Sequence, residues 1–172
     1  MSIVKLCISI SIVILCSYVG ILLSKRLKNR EYILRDMVTF LELVENEIRY
    51  MLAILPNAYE MSRQKLTTSL KPAIGQIVVD MLSTNNSEVI NQSIVKNISS
   101  IDGLTDYDKN VICSTLKNLG RSDVESQINI IENSITILNN QIKEANDEKL
   151  KNSKLYRTVG AISGLMLAVI FI

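Results

Sequence analysis

Two serine–lysine pairs, Ser62 with Lys65 and Ser69 with Lys71, are the first arrangement in this chain that could support a reaction, a lysine activating a serine nucleophile. Neither pair carries the further group that would orient the lysine, so acyl transfer is not expected. Asp102, Asp106 and Asp108 stand around Gly103 as a calcium loop might place them. The glycine precedes two of those acids, however, and no bidentate glutamate follows at the right distance. Glu42, Glu45 and Glu47 with Arg49 form an acidic cluster that local ion pairs on a solvated helix face account for. Histidine, the commonest general base and metal ligand, is absent. Cys7, Cys16 and Cys113 have neither metal-ligand nor disulfide spacing and read as small apolar fillers. Without a glycine-rich phosphate loop the chain is not itself an ATPase. The expectation is a protein that is not an enzyme, with no catalytic residue, no cofactor and no metal.

Such residues need elements to hold them, and the composition points to helices. Only 6 glycines and 2 prolines occur in 172 residues, which leaves few turns. Leu34, Leu41, Ile48 and Leu55 recur every seventh residue, with Met37 or Val38, Val44 and Met51 or Leu52 between them. That period predicts a helix running to about Leu55, where Pro56 ends or kinks it. Towards the other end Gly120 suits a helix stop, and Ser122-Asp123-Val124-Glu125 reads as a capping box. Val124, Ile128, Ile131, Ile135, Leu138, Ile142 and Ala145 then form a heptad seam, widened by Ile130 and Ile137. Between the two long helices the pattern predicts shorter ones at about 57–70, 73–83, 88–98 (Ile90, Ile94, Val95 and Ile98 inward) and from a Thr105–Asp108 cap to Leu119. Pro72 separates the first two, and 83–87 and 99–103 are loops. The fold class expected is all-α, an antiparallel bundle of about six helices with a transmembrane helix at each end. A dimer through the 124–145 seam remains open, which leaves homo-oligomerisation among the alternatives.

The two ends define the domain plan. Leu6–Ser24 is a run of 19 uncharged residues, about 28 Å of helix, which matches a bilayer's hydrocarbon core. Thr158–Ile172 adds 15 more, about 22 Å, which would have to borrow Leu155 and Tyr156 to cross. The expected domains are therefore 1–24, an N-terminal transmembrane helix; 25–157, a cytoplasmic bundle; and 158–172, a C-terminal membrane-inserted helix. Lys25, Arg26, Lys28 and Arg30 after the first run, and Lys143, Lys149, Lys151, Lys154 and Arg157 before the second, put the bundle in the cytoplasm and both termini outside. Anionic lipid explains those basic clusters, whereas the net charge of +2 gives no field for nucleic acid. Gly160 and Gly164 form a G-x-x-x-G in the apolar tail, a candidate membrane-helix contact.

Several strings recur in a familiar order: Lys25-Arg26-Leu27 after the first apolar run, Glu47-Ile48-Arg49-Tyr50 with Pro56 beyond it, Leu119-Gly120-Arg121-Ser122-Asp123 with Gln127 a turn later, and Lys154-Leu155-Tyr156-Arg157 before Gly160 and Gly164. In order, spacing and total length the chain resembles the stage III sporulation protein AB family of endospore-forming bacteria. That resemblance implies a component of the channel-like complex joining mother cell and forespore, on the mother-cell membrane. It further implies similarity to a cytoplasmic domain of the inner-membrane platform proteins of type II secretion and type IV pilus machines, with a secretion-type ATPase and other membrane components of the channel as partners. Glu47, Tyr50, Asp123 and Gln127, the polar residues of the matching strings, become the candidate partner surface. The competing reading is a membrane-anchored regulatory or adaptor module with no motor partner.

Overall fold

The computed structural model describes the backbone of residues 29–171 and the side chains of 29–151 and Thr158. The chain divides into two compact units, Arg30–Lys143 and the pair of end segments Met1–Asn29 and Glu144–Ile172. Among the described residues the secondary structure is helical throughout: α1 over 29–51, α2 Leu55–Arg63, α3 Leu70–Ser83, α4 Ser87–Ser99, α5 Asp106–Asn118 and α6 Val124–Phe171. The expected all-α class and the count of six hold. No helix among the described residues is long and apolar enough to cross a membrane. The expected span 1–24 lies outside the described residues, as do the side chains of 158–172 apart from Thr158.

Helix α1 is the centre of the Arg30–Lys143 unit. It buries Ile33, Leu34, Met37, Val38, Phe40, Leu41, Val44 and Ile48, two adjacent stripes at helical spacing and so a face too wide for a single neighbour. The ring of Phe40 meets that of Tyr59 edge-on, centroids 5.1 Å apart, which seats α2 on α1. Consecutive helices α2 to α5 pack on one another, joined by short connections that make neighbours antiparallel. Thr115 Oγ1 and Ser134 Oγ stand 2.8 Å apart between α5 and α6, and Arg49 on α1 reaches Glu132 on α6 at 3.2 Å.

Four predicted details change. The stripe on α1 stops at Ile48; Met51 and Leu52 are exposed, because the helix ends at residue 51 and not at Leu55. Pro56 lies in the first turn of α2, and Pro72 likewise lies near the start of α3. A proline's missing N–H costs nothing in a first turn, so both prolines open helices where they were expected to end or separate them. In α6 the buried register is Ile128, Ile131, Ser134, Leu138, Ile142 and Ala145, with Ile135 only half-buried and Val124 and Ile137 exposed. A serine holds the middle of the seam because it faces a threonine. Ser134 Oγ also lies 2.7 Å from the Ile130 carbonyl and Thr115 Oγ1 2.8 Å from that of Val111. Two hydroxyl protons serve three contacts, so one hydroxyl donates to its partner and the other to its own helix. Val95 of α4, expected inward, is also exposed.

The turn chemistry was better foreseen. Thr105 and Asp108 form the capping box expected at α5. Gly120, expected as a helix stop, has φ +81°, and a Cβ there would stand 2.9 Å from Leu55 Cδ2.

Candidate functional site

Each end of the Arg30–Lys143 bundle carries one unusual cluster. At the end where the chain enters at Arg30, the Arg30 guanidinium donates from Nε to Asp108 Oδ2 at 2.8 Å and from Nη2 to Asp108 Oδ1 at 3.1 Å. The same Nη2 donates to Gln141 Oε1 at 2.9 Å. The fork ties α1, α5 and α6 together, and both charged side chains are essentially inaccessible. Asp108 also accepts the Thr105 N–H at 3.0 Å, as the cap of α5. Burial pushes the Asp108 carboxyl up, but the Arg30 hydrogen bond, the Thr105 contacts and the Arg30 charge outweigh it and hold the group below the usual aspartate range. Close by, Asp36 Oδ2 accepts the N–H groups of Thr67 and Thr68 at 2.8 and 2.7 Å, fixing the α2–α3 turn to α1.

This corrects one expectation. Arg30 is not part of a lipid-facing basic run; it is a buried partner of Asp108. Sequence gave little warning, since the two residues are 78 positions apart. The one signal was the doubled duty available to an aspartate in a capping box, which can accept from a backbone N–H and still have oxygen lone pairs left for an arginine.

The opposite end gathers the α1–α2 connection, the end of α3, the start of α4 and the α5–α6 turn. Leu55, Met81, Ile90, Leu119, Gly120 and Arg121 line one depression there, of about 180 Å³. Tyr50, Met51, Leu52 and Ile54 stand exposed at its α1 side. Leu52 has φ +49°, in the left-handed region, and the Ala53 N–H closes onto the Glu47 carbonyl at 3.2 Å.

Of the four candidate surface residues, two serve the fold. Asp123, and not Ser122, caps α6: its Oδ2 accepts the Ser126 N–H at 3.0 Å and its Oδ1 the Ser126 hydroxyl at 2.7 Å. Those bonds hold the Asp123 carboxyl below its ordinary range. Gln127 clasps the turn before α6, accepting the Gly120 N–H at 3.0 Å and donating to the Ser122 carbonyl at 2.9 Å. Tyr50 is fully presented to solvent, and Glu47 is half-buried with no ion pair among the described residues. Gly160 and Gly164 fall within α6, but their packing lies outside the described residues.

The reactive pairs considered from sequence are not assembled. Ser62 is buried with its hydroxyl unpartnered, as is the Tyr59 hydroxyl, whereas Lys65 is exposed. The Lys71 amine donates to the Gln64 carbonyl at 3.1 Å. Within the acidic cluster Arg49 pairs with Glu45 at 2.6 Å, and it also reaches Glu132 at 3.2 Å on α6. Cys113 is buried, which pushes its thiol up, away from reactivity. Among the described residues no group of three or more metal-ligating side chains comes together.

The fold and its two end clusters define an all-α helical bundle with one end tied by a buried ion pair and the other left apolar. A family model described as stage III sporulation protein AB matches residues 5–172, and the chain belongs to that family. Membership carries a sporulation-related role, in a family of structural or assembly proteins. No curated protein and no solved structure matches the chain.

Proposed function

We propose that the chain is a membrane-anchored platform component of the mother cell–forespore channel complex, engaging a secretion-type ATPase. The observation that carries this reading is the extent of the family match, which takes in both apolar runs together with the bundle between them. The run Leu6–Ser24 and the tail 158–172 anchor the protein in the mother-cell membrane facing the forespore. The basic residues that flank them on the bundle side, Lys25, Arg26 and Lys28 before it and Lys149, Lys151, Lys154 and Arg157 after it, keep the bundle cytoplasmic and both termini outside. Helices without a reaction site suit a part that receives and anchors another protein's action.

Capture from sporulating cells tests it. The full-length chain, solubilised from membranes, retains a secretion-type ATPase. In intact cells a cysteine at Asn85, introduced with Cys7, Cys16 and Cys113 replaced, resists a membrane-impermeant thiol reagent. Capture of a soluble partner with no ATPase would favour the regulatory adaptor, and labelling at position 85 would overturn the topology.

A further inference from the structure

We propose that the end of the bundle bearing Tyr50–Ile54 is where the ATPase docks, through a segment with a large apolar anchor flanked by carboxylates. The inference rests on the platform reading and adds a surface and a chemistry to it.

Tyr50, Met51, Leu52 and Ile54 are each at least 65% exposed. Together they amount to an apolar patch of several hundred Å², the size that marks interaction sites on soluble proteins. Leu52 makes the patch harder to dismiss as leftover surface. A β-carbon at φ +49° is sterically unfavourable, and an exposed side chain gains no packing in return. The left-handed turn itself ends α1 and lets the Ala53 N–H close onto the Glu47 carbonyl, a place where glycine is the usual residue, so it is the exposed leucine side chain that the fold does not use. The depression of about 180 Å³ has Leu55, the residue that follows Ile54, in its lining together with Met81 and Ile90. That is room for about one aromatic ring.

Charge selects the occupant. The only ionisable groups lining the depression are Lys117 and Arg121, and neither has an acidic partner among the described residues; Arg121 donates only to Asn91, at 3.3 Å. The site therefore complements an apolar anchor beside Asp or Glu. The chain's own apolar segments do not fit, because neither 1–24 nor 158–172 contains an acidic residue. A second copy fits poorly as well, because a two-fold interface through this end would set Lys117 and Arg121 of one protomer against the same cations of the other. A transient, apolar-anchored contact with a soluble protein remains.

The test uses the full-length chain in nanodiscs and the purified ATPase of the same complex, with the dissociation constant as readout. Lys117→Glu combined with Arg121→Glu weakens capture at least tenfold, and Leu52→Gly at least fivefold while melting no lower than the unaltered protein. Tyr107→Ala, an exposed position at the Arg30 end, leaves capture unchanged. If the unaltered chain binds no ATPase, the platform reading falls and this inference with it. If it binds and the tip and charge variants bind as tightly, the docking surface is wrong and the platform reading stands. Loss of self-association by Leu52→Gly, with ATPase binding intact, would overturn the proposal in favour of a second copy.

Discussion

The two ends of the bundle solve the problem of surface and solvent in opposite ways. At the Arg30 end two ionised side chains are withdrawn from water, and every oxygen of Asp108 accepts a hydrogen bond. At the Tyr50 end four large apolar side chains are left in water, on a turn whose backbone is held in an unfavourable conformation. Burying a charge pair confers little net stability, but it makes the arrangement of α1, α5 and α6 hard to alter, since removing one partner strands the other. Exposing apolar groups has the reverse character: it does nothing for the fold and leaves the end free to associate. With the docking proposal, the contrast becomes a division of labour: rigidity where the chain enters the bundle, and recognition at the far turn.

The sharpest way to break that contrast is Asp108→Asn. It removes the charge from the carboxylate that both arms of the buried Arg30 fork meet and should cost about 4 kcal/mol, read as a fall in the melting of the full-length chain in detergent. Arg30→Met with Asp108→Leu should recover most of the loss. Acid should act in the same direction. The folded carboxyl titrates below its unfolded value, so the stabilisation is complete above about pH 4 and disappears as pH falls through the folded value. Asp108→Asn should remove that part of the acid sensitivity. A variant that melted with the unaltered protein would mean that the Arg30 end is not a lock.

How much of this was legible beforehand depends on the range of the interaction. Helix identity and number followed from apolar spacing, and the Thr105 cap from four adjacent residues, because these are local. What failed was what depends on partners distant in sequence. Arg30 looked like one more membrane-side cation, since nothing near it in the chain announces Asp108. Counting apolar residues centres the seam on Ile135, because the count cannot see Thr115 meeting Ser134 across the interface. Of the four candidate surface residues, Asp123 and Gln127 also have bonds that a reading by matching strings cannot see: their polar groups hold the turn before α6.

The corrected register yields a prediction of intermediate size that tests the body between the two ends. Leu138 is fully buried and Ile135 is not. Leu138→Ala should therefore cost about 3 kcal/mol, the usual price of a core cavity, and Ile135→Ala about 1 kcal/mol. Equal losses in denaturant unfolding would restore the heptad seam centred on Ile135.

The smallest expected effect bears on the Tyr50 end alone. A non-glycine residue in the left-handed region costs about 1–2 kcal/mol, whereas glycine loses about 0.5–1 kcal/mol more backbone entropy on folding. With the Leu52 side chain exposed and contributing no packing, Leu52→Gly should be stabilising by roughly 0.5 kcal/mol, a rise of about 1–2 °C in Tm for a chain of this size. Leu52→Ala separates the two contributions, because it removes the side chain but keeps a β-carbon at φ +49°; its Tm should stay where it is. A substitution that improves the fold while weakening association is what an end kept for a partner should give. If Leu52→Gly lowered Tm instead, the side chain would be supporting the turn, and the contrast between the two ends would lose its second half.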